Sequence, residues 1–213
     1  MSKRATLGLL LLLPLFLAGC FFLLPTFPEV LYEEDFDGSP LWYQGEDDSR
    51  TWWVEQSKYH LLIKVRDITF VSRNTQIGPL TDFQLDMDTY QLSGPDNNGY
   101  GVTFRHVDTD NLYRFSLSGD GWVRFDKKVN GSYNVIRPWE RTDLIHQGNA
   151  TNHITVVADG SEFTFYINGQ EVYDAAVLDT QFSSGNAGVF GVMLESPGQT
   201  HIAFDNLVIQ ALE

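Results

Sequence analysis

Short runs in which apolar and polar residues strictly alternate are the feature that most constrains how this chain can fold. Phe83, Leu85 and Met87 alternate with polar residues in one such run. Successive side chains of a β-strand point to opposite faces, so each run indicates a strand with one buried face. The same alternation recurs at 102–104, 113–117, 154–156, 163–167 and 202–209. The sequence therefore predicts many short strands, with room for one short turn of helix within 174–182.

Tight turns separate these runs. Asn130-Gly131, Asp159-Gly160 and Asn168-Gly169 are residue pairs that supply the positive φ angles of two-residue hairpin turns. Such hairpins join neighbouring strands in an antiparallel arrangement. The sequence therefore predicts an all-β fold, an antiparallel β-sandwich or jelly roll, and Asn206 predicts an irregularity in its last strand.

The N-terminus has the layout of an export signal. Lys3 and Arg4 precede an apolar run that extends to residue 24, as in a secretory signal peptide. The motif Leu17-Ala18-Gly19-Cys20 resembles the lipobox of bacterial lipoproteins. That resemblance implies cleavage after residue 19, acylation of Cys20 with palmitate-type chains, and a lipid anchor in the cell membrane or outer membrane. The alternative is an uncleaved transmembrane helix, which would export the same domain.

We therefore expect a signal peptide at 1–19, a lipidated cysteine with a short tether at 20–28, and one domain at 29–213. Cys20 is the only cysteine, so no disulfide holds that domain together. The net charge of −14 excludes nucleic acid as a partner, because an acidic surface repels phosphate. It is compatible with neutral glycans, with cationic partners and with Ca²⁺ held by carboxylates.

A recognisable succession of motifs runs through the chain. NNGYGVTFRHVDTDNLYRFSLSGDGWVRFDKK is followed by NHITVVADGSEFTFYINGQEV, GNAGVFGV and IAFDNLVI. This succession resembles the concanavalin A-like lectin/glucanase superfamily, and within it the laminin G-like and 3-keto-disaccharide hydrolase-type members, over residues 32 to 209. The resemblance implies a concanavalin A-like sandwich. It does not single out a function, because this fold serves lectins, hydrolases and adhesion modules.

Acidic pairs are the candidates for catalysis, because glycoside hydrolysis needs two carboxylates across the scissile bond. Laminarinase-like members of the superfamily carry Glu-x-Asp-x-Glu on one strand, and the nearest matches are 33–37 and Asp86-Met87-Asp88. The first ends in Asp, and the second lacks a flanking Glu at the required spacing. We therefore assign no catalytic residue and favour a role without catalysis.

Three aspartates form a candidate metal site. Modules that this chain resembles bind Ca²⁺ where the first and last strands meet, and Asp35, Asp37 and Asp205 match those positions. Ca²⁺ prefers oxygen ligands from carboxylates and carbonyls. The resemblance therefore implies a structural Ca²⁺, the one cofactor we expect. The alternative is that the same residues form an ordinary turn and a bulge.

Four residues are the candidates for ligand contact. Trp52 and Trp53 are adjacent, so in a strand they face opposite sides and one of them can lie on the outer or concave face; Trp53 is the candidate of this pair. Trp122 at a hairpin tip and Trp139 in a loop after Pro138 occupy rim positions, where a ring can stack on a sugar. Arg105, on the polar side of its strand, can bond a ligand. The alternative is that all four are ordinary core or edge residues.

The sequence as a whole favours an exported, lipid-anchored binding module for carbohydrate that carries out no catalysis. Two alternatives stay open at this point. One is a glycoside hydrolase or sugar-modifying enzyme of the same fold. The other is a structural or adhesion lipoprotein that binds another surface protein.

Overall fold

The computed structural model describes residues 28–38, 41–67, 69–74, 76–194 and 198–212. The lipobox and the rest of the export signal therefore lie outside the described residues. Within these ranges the chain forms strands, turns and bends and no helix. None of the described segments could span a membrane as an apolar helix.

The strands follow one another along the chain with short connections. In chain order they are β1 (Val30–Glu34), β2 (Gly45–Glu46), β3 (Arg50–Glu55), β4 (Lys58–Ile63), β5 (Thr69–Arg73), β6 (Phe83–Ser93), β7 (Asn98–Asp108), β8 (Asn111–Ser118), β9 (Trp122–Val129), β10 (Ser132–Arg141), β11 (Thr151–Asp159), β12 (Glu162–Ile167), β13 (Gln170–Glu171), β14 (Val177–Leu178), β15 (Asn186–Met193) and β16 (Thr200–Ala211).

These strands form two antiparallel sheets. The large sheet has the order β13-β12-β11-β6-β16-β4-β3-β2, with β1 also paired to β16 and β14 to β12. The small sheet has the order β10-β9-β8-β7-β15-β5. Strands that are distant in sequence, such as β6 and β16, are neighbours in the large sheet. The predicted all-β antiparallel sandwich with a jelly-roll architecture is confirmed.

Aromatic side chains from both sheets fill the core between them. Phe104, Phe115 and Phe125 of the small sheet are fully buried, as is Phe83 of the large sheet. Phe115 stacks on Phe165 of the large sheet with ring centroids 4.4 Å apart. Burial of such rings is the main favourable term in folding, and their mutual packing fixes how the sheets face each other.

The predicted irregularity is confirmed, and so are the turns at Asn130-Gly131 and Asn168-Gly169. The turn predicted at Asp159-Gly160 lies one residue later, because Asp159 pairs with Glu162 in the ladder. Asn206 has a φ of 51°, and the register of β16 against β6 shifts between Asp205 and Val208. The bulge divides β16 into a first half that pairs with β4 and a second half that pairs with β1. The hairpin turn at Asn130 and Gly131 has φ angles of 49° and 83°, as a two-residue turn with both residues at positive φ requires.

Two local predictions were wrong. The segment 174–182 contains β14 and no helix. Its extended path is fixed by Tyr113, whose hydroxyl donates to Asp179 Oδ1 at 2.5 Å and accepts from the amide of Phe182 at 3.1 Å. Trp139 lies in strand β10 and not in a loop. Pro138 is tolerated there because β10 is an edge strand, where a missing N–H costs no ladder bond.

Candidate ligand-binding face

The outer face of the small sheet carries polar and charged side chains in a regular pattern. In β8 and β9, Phe115 and Phe125 point into the core, so Arg114 and Asp126 point outwards. The two strands pair antiparallel, and Arg114 lies directly opposite Asp126. Strand alternation and hairpin register together therefore place opposite charges side by side on the outer face of the small sheet.

Asp126 is the centre of an ion-pair network on this face. Arg114 donates from Nε to Asp126 Oδ1 at 2.9 Å and from Nη2 to Oδ2 at 2.8 Å. Arg124 donates from Nε to the same Oδ2 at 2.6 Å. The Asp126 side chain is 0% exposed, and a carboxylate that is so buried needs such partners to offset its desolvation. Two cations share one anion, so the network carries a net positive charge.

Aromatic rings hold Arg114 in place. Its guanidinium carbon lies 4.2 Å from the ring centroid of Tyr133 and 4.9 Å from that of Phe190. Phe190 is fully buried beneath the arginine, while Tyr133 is 39% exposed. Cation–π contact on one side and two hydrogen bonds on the other fix the orientation of the guanidinium. Tyr133 thus covers the guanidinium at the edge of a rigid polar floor, and Lys128 Nζ lies 5.8 Å from its ring centroid.

A groove runs along the network from Trp139 to Tyr133. It encloses about 290 Å³ and is lined by Asp67, Thr69, Gly99, Arg114, Ser116, Arg124, Tyr133, Trp139, Val192 and Leu194. Gly99 forms part of its floor. A Cβ atom there would lie 2.9 Å from Val192 Cγ1 and 3.8 Å from the Trp139 ring, so any side chain at this position would fill the groove.

The groove continues past Tyr133 into a second depression of about 540 Å³. Both depressions contain Asp67, Thr69 and Tyr133, so they form one continuous surface. The second is basic, and its cations are Arg50, Arg73 and Lys128. Burial, and then the positive charge of Arg73, lower the pKa of His106 to about 4, so this lining residue is neutral at pH 7.

A third depression adjoins the other end of the groove. It encloses about 320 Å³ and is lined by Asn97, Ser118, Asp120, Trp122 and Trp139. Trp139 therefore belongs to two adjoining depressions, and the Trp122 side chain, 36% exposed, lies beside it. The structure thus brings together Trp122 and Trp139, two of the four residues that the sequence predicts as ligand contacts.

The other two predicted ligand contacts lie elsewhere. Trp53 is on the outer face of the large sheet, where its ring stacks on His60 and His201 with centroids 4.9 and 5.2 Å away. Arg105 is only 1% exposed and donates to the backbone oxygens of Thr81 and Phe182. Its φ of 43° lies at a register shift between β7 and β8, which turns the side chain away from the direction that simple alternation predicts.

The carboxylates of two of the three predicted calcium ligands, Asp35 and Asp205, accept hydrogen bonds within the protein. Asp35 Oδ1 accepts the amide of Asp37 at 2.9 Å, and Asp205 Oδ2 accepts Lys58 Nζ at 2.8 Å. The ammonium of Lys58 thus competes with any Ca²⁺ for Asp205. In the described part of the chain, no group of three or more His, Cys, Asp or Glu residues is arranged to hold a metal ion. Ca²⁺ at this position stays a prediction.

The acidic pair Asp86 and Asp88 lies on the outer face of the large sheet. His153 bridges the two, with Nδ1 2.7 Å from Asp88 Oδ1 and Nε2 3.3 Å from Asp86 Oδ1. The hydrogen bonds to Asp86 and Asp88 raise the pKa of His153 to about 9. The pair is therefore an ion-paired cluster on the opposite side of the sandwich from the groove.

Sequence reasoning missed the network that forms the groove floor. Arg114, Arg124, Asp126 and Tyr133 were not selected as site residues. The sequence could have indicated three of them, because strand alternation places Arg114, Arg124 and Asp126 on the sheet face opposite the core phenylalanines. The turn at 118–121 then sets the register that places Arg114 opposite Asp126.

Several solved structures share this architecture. The carbohydrate-binding module CBM66 from Bacillus subtilis superposes with a TM-score of 0.64 at 21% identity, over 80% of this chain and 96% of that one. A β-glucanase from Bacillus licheniformis superposes with a TM-score of 0.63 at 9% identity, over 87% of this chain and 99% of that one. A Bacillus subtilis protein of unknown function with a galectin-like fold superposes with a TM-score of 0.59 at 11% identity, over 85% of this chain and 96% of that one.

These likenesses show the fold: the chain is a jelly-roll β-sandwich, an architecture that also occurs in a carbohydrate-binding module, in a β-glucanase and in a protein with a galectin-like fold. No family model matches the sequence. No curated protein matches it either. Because structures of this type include a binding module and an enzyme, the function has to be argued from the site.

Proposed function

We propose that this protein is a carbohydrate-binding module and that the outer face of the small sheet is its binding surface. One observation carries the proposal, a row of aromatic rings and charged groups along the groove: Trp139, Arg124, Asp126, Arg114 and Tyr133. Aromatic rings offer flat apolar surfaces to the C–H side of a sugar ring. Charged planar groups beside them bond its hydroxyls.

The groove retains hydrogen-bond donors for a ligand. Arg124 bonds Asp126 through Nε alone, and Arg114 does so through Nε and Nη2. A guanidinium has five N–H groups, so the arginines keep further donors that can face sugar oxygens. Because the ion pairs and the Tyr133 ring already hold Arg114, little side-chain entropy is lost when a ligand binds.

A role without catalysis agrees with the chemistry of this face. Glycoside hydrolysis needs one carboxylic acid that can give up a proton and a second carboxylate that acts as base or nucleophile. Asp126, the carboxylate in the middle of the row, is fully buried and bonded to two arginines, which suits neither role. The β-glucanase has a similar fold, so the paired state of Asp126, and not the fold, supports binding over cleavage.

A glycan array followed by titration calorimetry tests the proposal. We expect the purified chain to bind a defined class of oligosaccharide and to release no reducing ends from it. Trp139→Ala should weaken binding about tenfold or more, because a central aromatic contact contributes about 1.4 kcal/mol or more to such an interface.

Trp53→Ala is the matched control, because it removes the same side chain from the outer face of the large sheet. It should leave the affinity unchanged. Loss of binding with Trp53→Ala but not with Trp139→Ala would move the site to the large sheet and contradict the proposal. Release of reducing ends from the bound glycan would contradict the role without catalysis.

We further propose that Cys20 anchors the protein in the cell membrane or outer membrane, with the domain facing the periplasm or the exterior. The lipobox-like motif ending at Cys20 supports this proposal. Metabolic labelling with a palmitate analogue in a bacterial host should mark the wild-type chain in the membrane fraction and leave Cys20→Ala unlabelled. Equal labelling of both chains would contradict it.

A further inference from the structure

Arg73 is a cation that lacks an ion-pair partner among the described residues of an otherwise acidic protein. It lies at the end of β5, on the outer face of the small sheet, and it is half-buried. Across the described residues, its guanidinium takes part in no ion pair and no hydrogen bond. The neighbouring cations differ, since Arg50 pairs with Asp47 at 3.0 Å and Lys128 with Asp110 at 3.0 Å. A partly desolvated charge that lacks an internal partner is favourable only if something else offsets it.

The surroundings of Arg73 leave room for a ligand. Gly188 of β15 lies directly opposite Arg73, and a Cβ there would come within 3.1 Å of Arg73 Cβ and 2.3 Å of the Ser72 oxygen. The depression in which Arg73 lies encloses about 540 Å³. His106 lines it as well, is 3% exposed, and makes no well-formed hydrogen bond from either ring nitrogen to the residues described. Arg73 thus keeps its donors for a ligand, and the neutral His106 ring beneath adds no competing charge.

We infer that the Arg73 end of the groove binds a carboxylate or sulfate group of an acidic glycan. This inference rests on the proposed function, because it names the class of glycan that the same surface takes. The guanidinium fork matches both groups, which accept two parallel N–H bonds. Lys128 and Arg50 add positive potential beside it, and the sugar ring that carries the anion lies towards Tyr133, at the junction of the two depressions.

Negative charge from two sources, Asp67 and the protein as a whole, disfavours an acidic ligand, but neither source prevents binding. Asp67 lines the same depression, but it is well exposed and pairs with Arg66 at 3.1 Å. The chain carries a net charge of −14, but charges beyond about 8 Å are largely screened at physiological ionic strength. The local arginine therefore dominates the interaction at contact distance.

Matched neutral and acidic oligosaccharides separate this inference from the proposed function. The probes are polygalacturonate with its methyl ester, which differ by the charge of the carboxylates, and carrageenan oligosaccharides with their desulfated forms, which differ by sulfates. We expect at least one acidic member to bind about tenfold or more tightly than its neutral counterpart, as a charge-assisted pair would give. The polygalacturonate and carrageenan arms tell which anion the site accepts.

Arg73→Gln should abolish this preference, and Lys64→Gln, which removes the same charge from outside the groove, should retain it. Arg73→Lys keeps the charge but loses the fork, and we expect an intermediate preference. Equal binding of neutral and acidic members, unchanged by Arg73→Gln, would overturn the inference and leave the proposed function standing. Binding of none of the four probes, nor of any array glycan, by the folded protein would overturn both.

Discussion

Arg114 and Asp126 face each other across β8 and β9 and share two parallel hydrogen bonds of 2.9 and 2.8 Å on the outer face of the small sheet. Their side chains are 10% and 0% exposed. A buried ion pair of this kind adds little net stability compared with apolar packing, but it fixes the position of two charged planes. The pair therefore contributes more to the rigidity of the proposed binding surface than to the free energy of unfolding.

Asp126→Ala should destabilise the protein strongly. Removal of the carboxylate leaves Arg114 and Arg124 side by side without their shared partner, and breaking a buried ion pair in this way costs about 3–5 kcal/mol. Urea denaturation measures the change in the free energy of unfolding. Asp110→Ala removes the exposed partner of Lys128 and serves as the control, with an expected change below about 1 kcal/mol. Equal effects of the two substitutions would show that the network is not buried as described.

Alternation and turn residues were sufficient to predict the sandwich and the bulge at Asn206. They did not predict the composition of the groove, because its two ends come from strands that pair over long separations. Arg73 in β5 reaches the surface only because β15, more distant in sequence, pairs with β5 on one side and with β7 on the other. Strand alternation predicted that the Arg105 side chain lies on the outer face. The register shift next to Arg105 buries this side chain instead.

Gly99→Ala should weaken glycan binding severalfold while the protein stays folded. The new Cβ would lie 2.9 Å from Val192 Cγ1, so that side chain or the Trp139 ring has to move into the groove. Titration calorimetry measures the affinity. Gly78→Ala is the control, because a Cβ at Gly78 meets nothing within 4 Å. A Gly99→Ala protein with unchanged affinity would show that the ligand does not reach this part of the groove.

Trp122→Ala should affect long oligosaccharides more than short ones. Trp122 lines only the depression beyond Trp139, whereas Trp139 also lines the groove itself. A disaccharide held between Trp139 and Tyr133 does not need Trp122, but a hexasaccharide extends to it. The ratio of the two affinities, measured by calorimetry for wild type and variant, checks this expectation. Equal losses for both lengths would place Trp122 at the main binding position.

His153 should make stability depend on pH on the alkaline side. The hydrogen bonds to Asp86 and Asp88 raise its pKa to about 9, above the ordinary value of about 6.5 that applies in the unfolded chain. Because the folded pKa is the higher one, the stabilisation is complete below about pH 6.5 and is lost as pH rises through about 9. The ring is 41% exposed, so we expect a loss below about 1 kcal/mol.

Unfolding free energies measured from pH 6 to pH 10 check this expectation, with His153→Gln as the comparison. The variant should lack the alkaline decline attributed to His153. The same decline in both proteins would assign it to another group.

The most direct test of the binding surface is a two-dimensional NMR spectrum of the tryptophan indole N–H signals. The chain has five tryptophans, so single Trp→Phe variants can assign every signal. The spectrum is recorded while the oligosaccharide that binds most tightly in the calorimetric screen is added. We predict that the signals of Trp139 and Trp122 shift with saturation, while those of Trp42, Trp52 and Trp53 stay in place. A shift of Trp53 without one of Trp139 would contradict the assignment of the groove on the small sheet as the binding site.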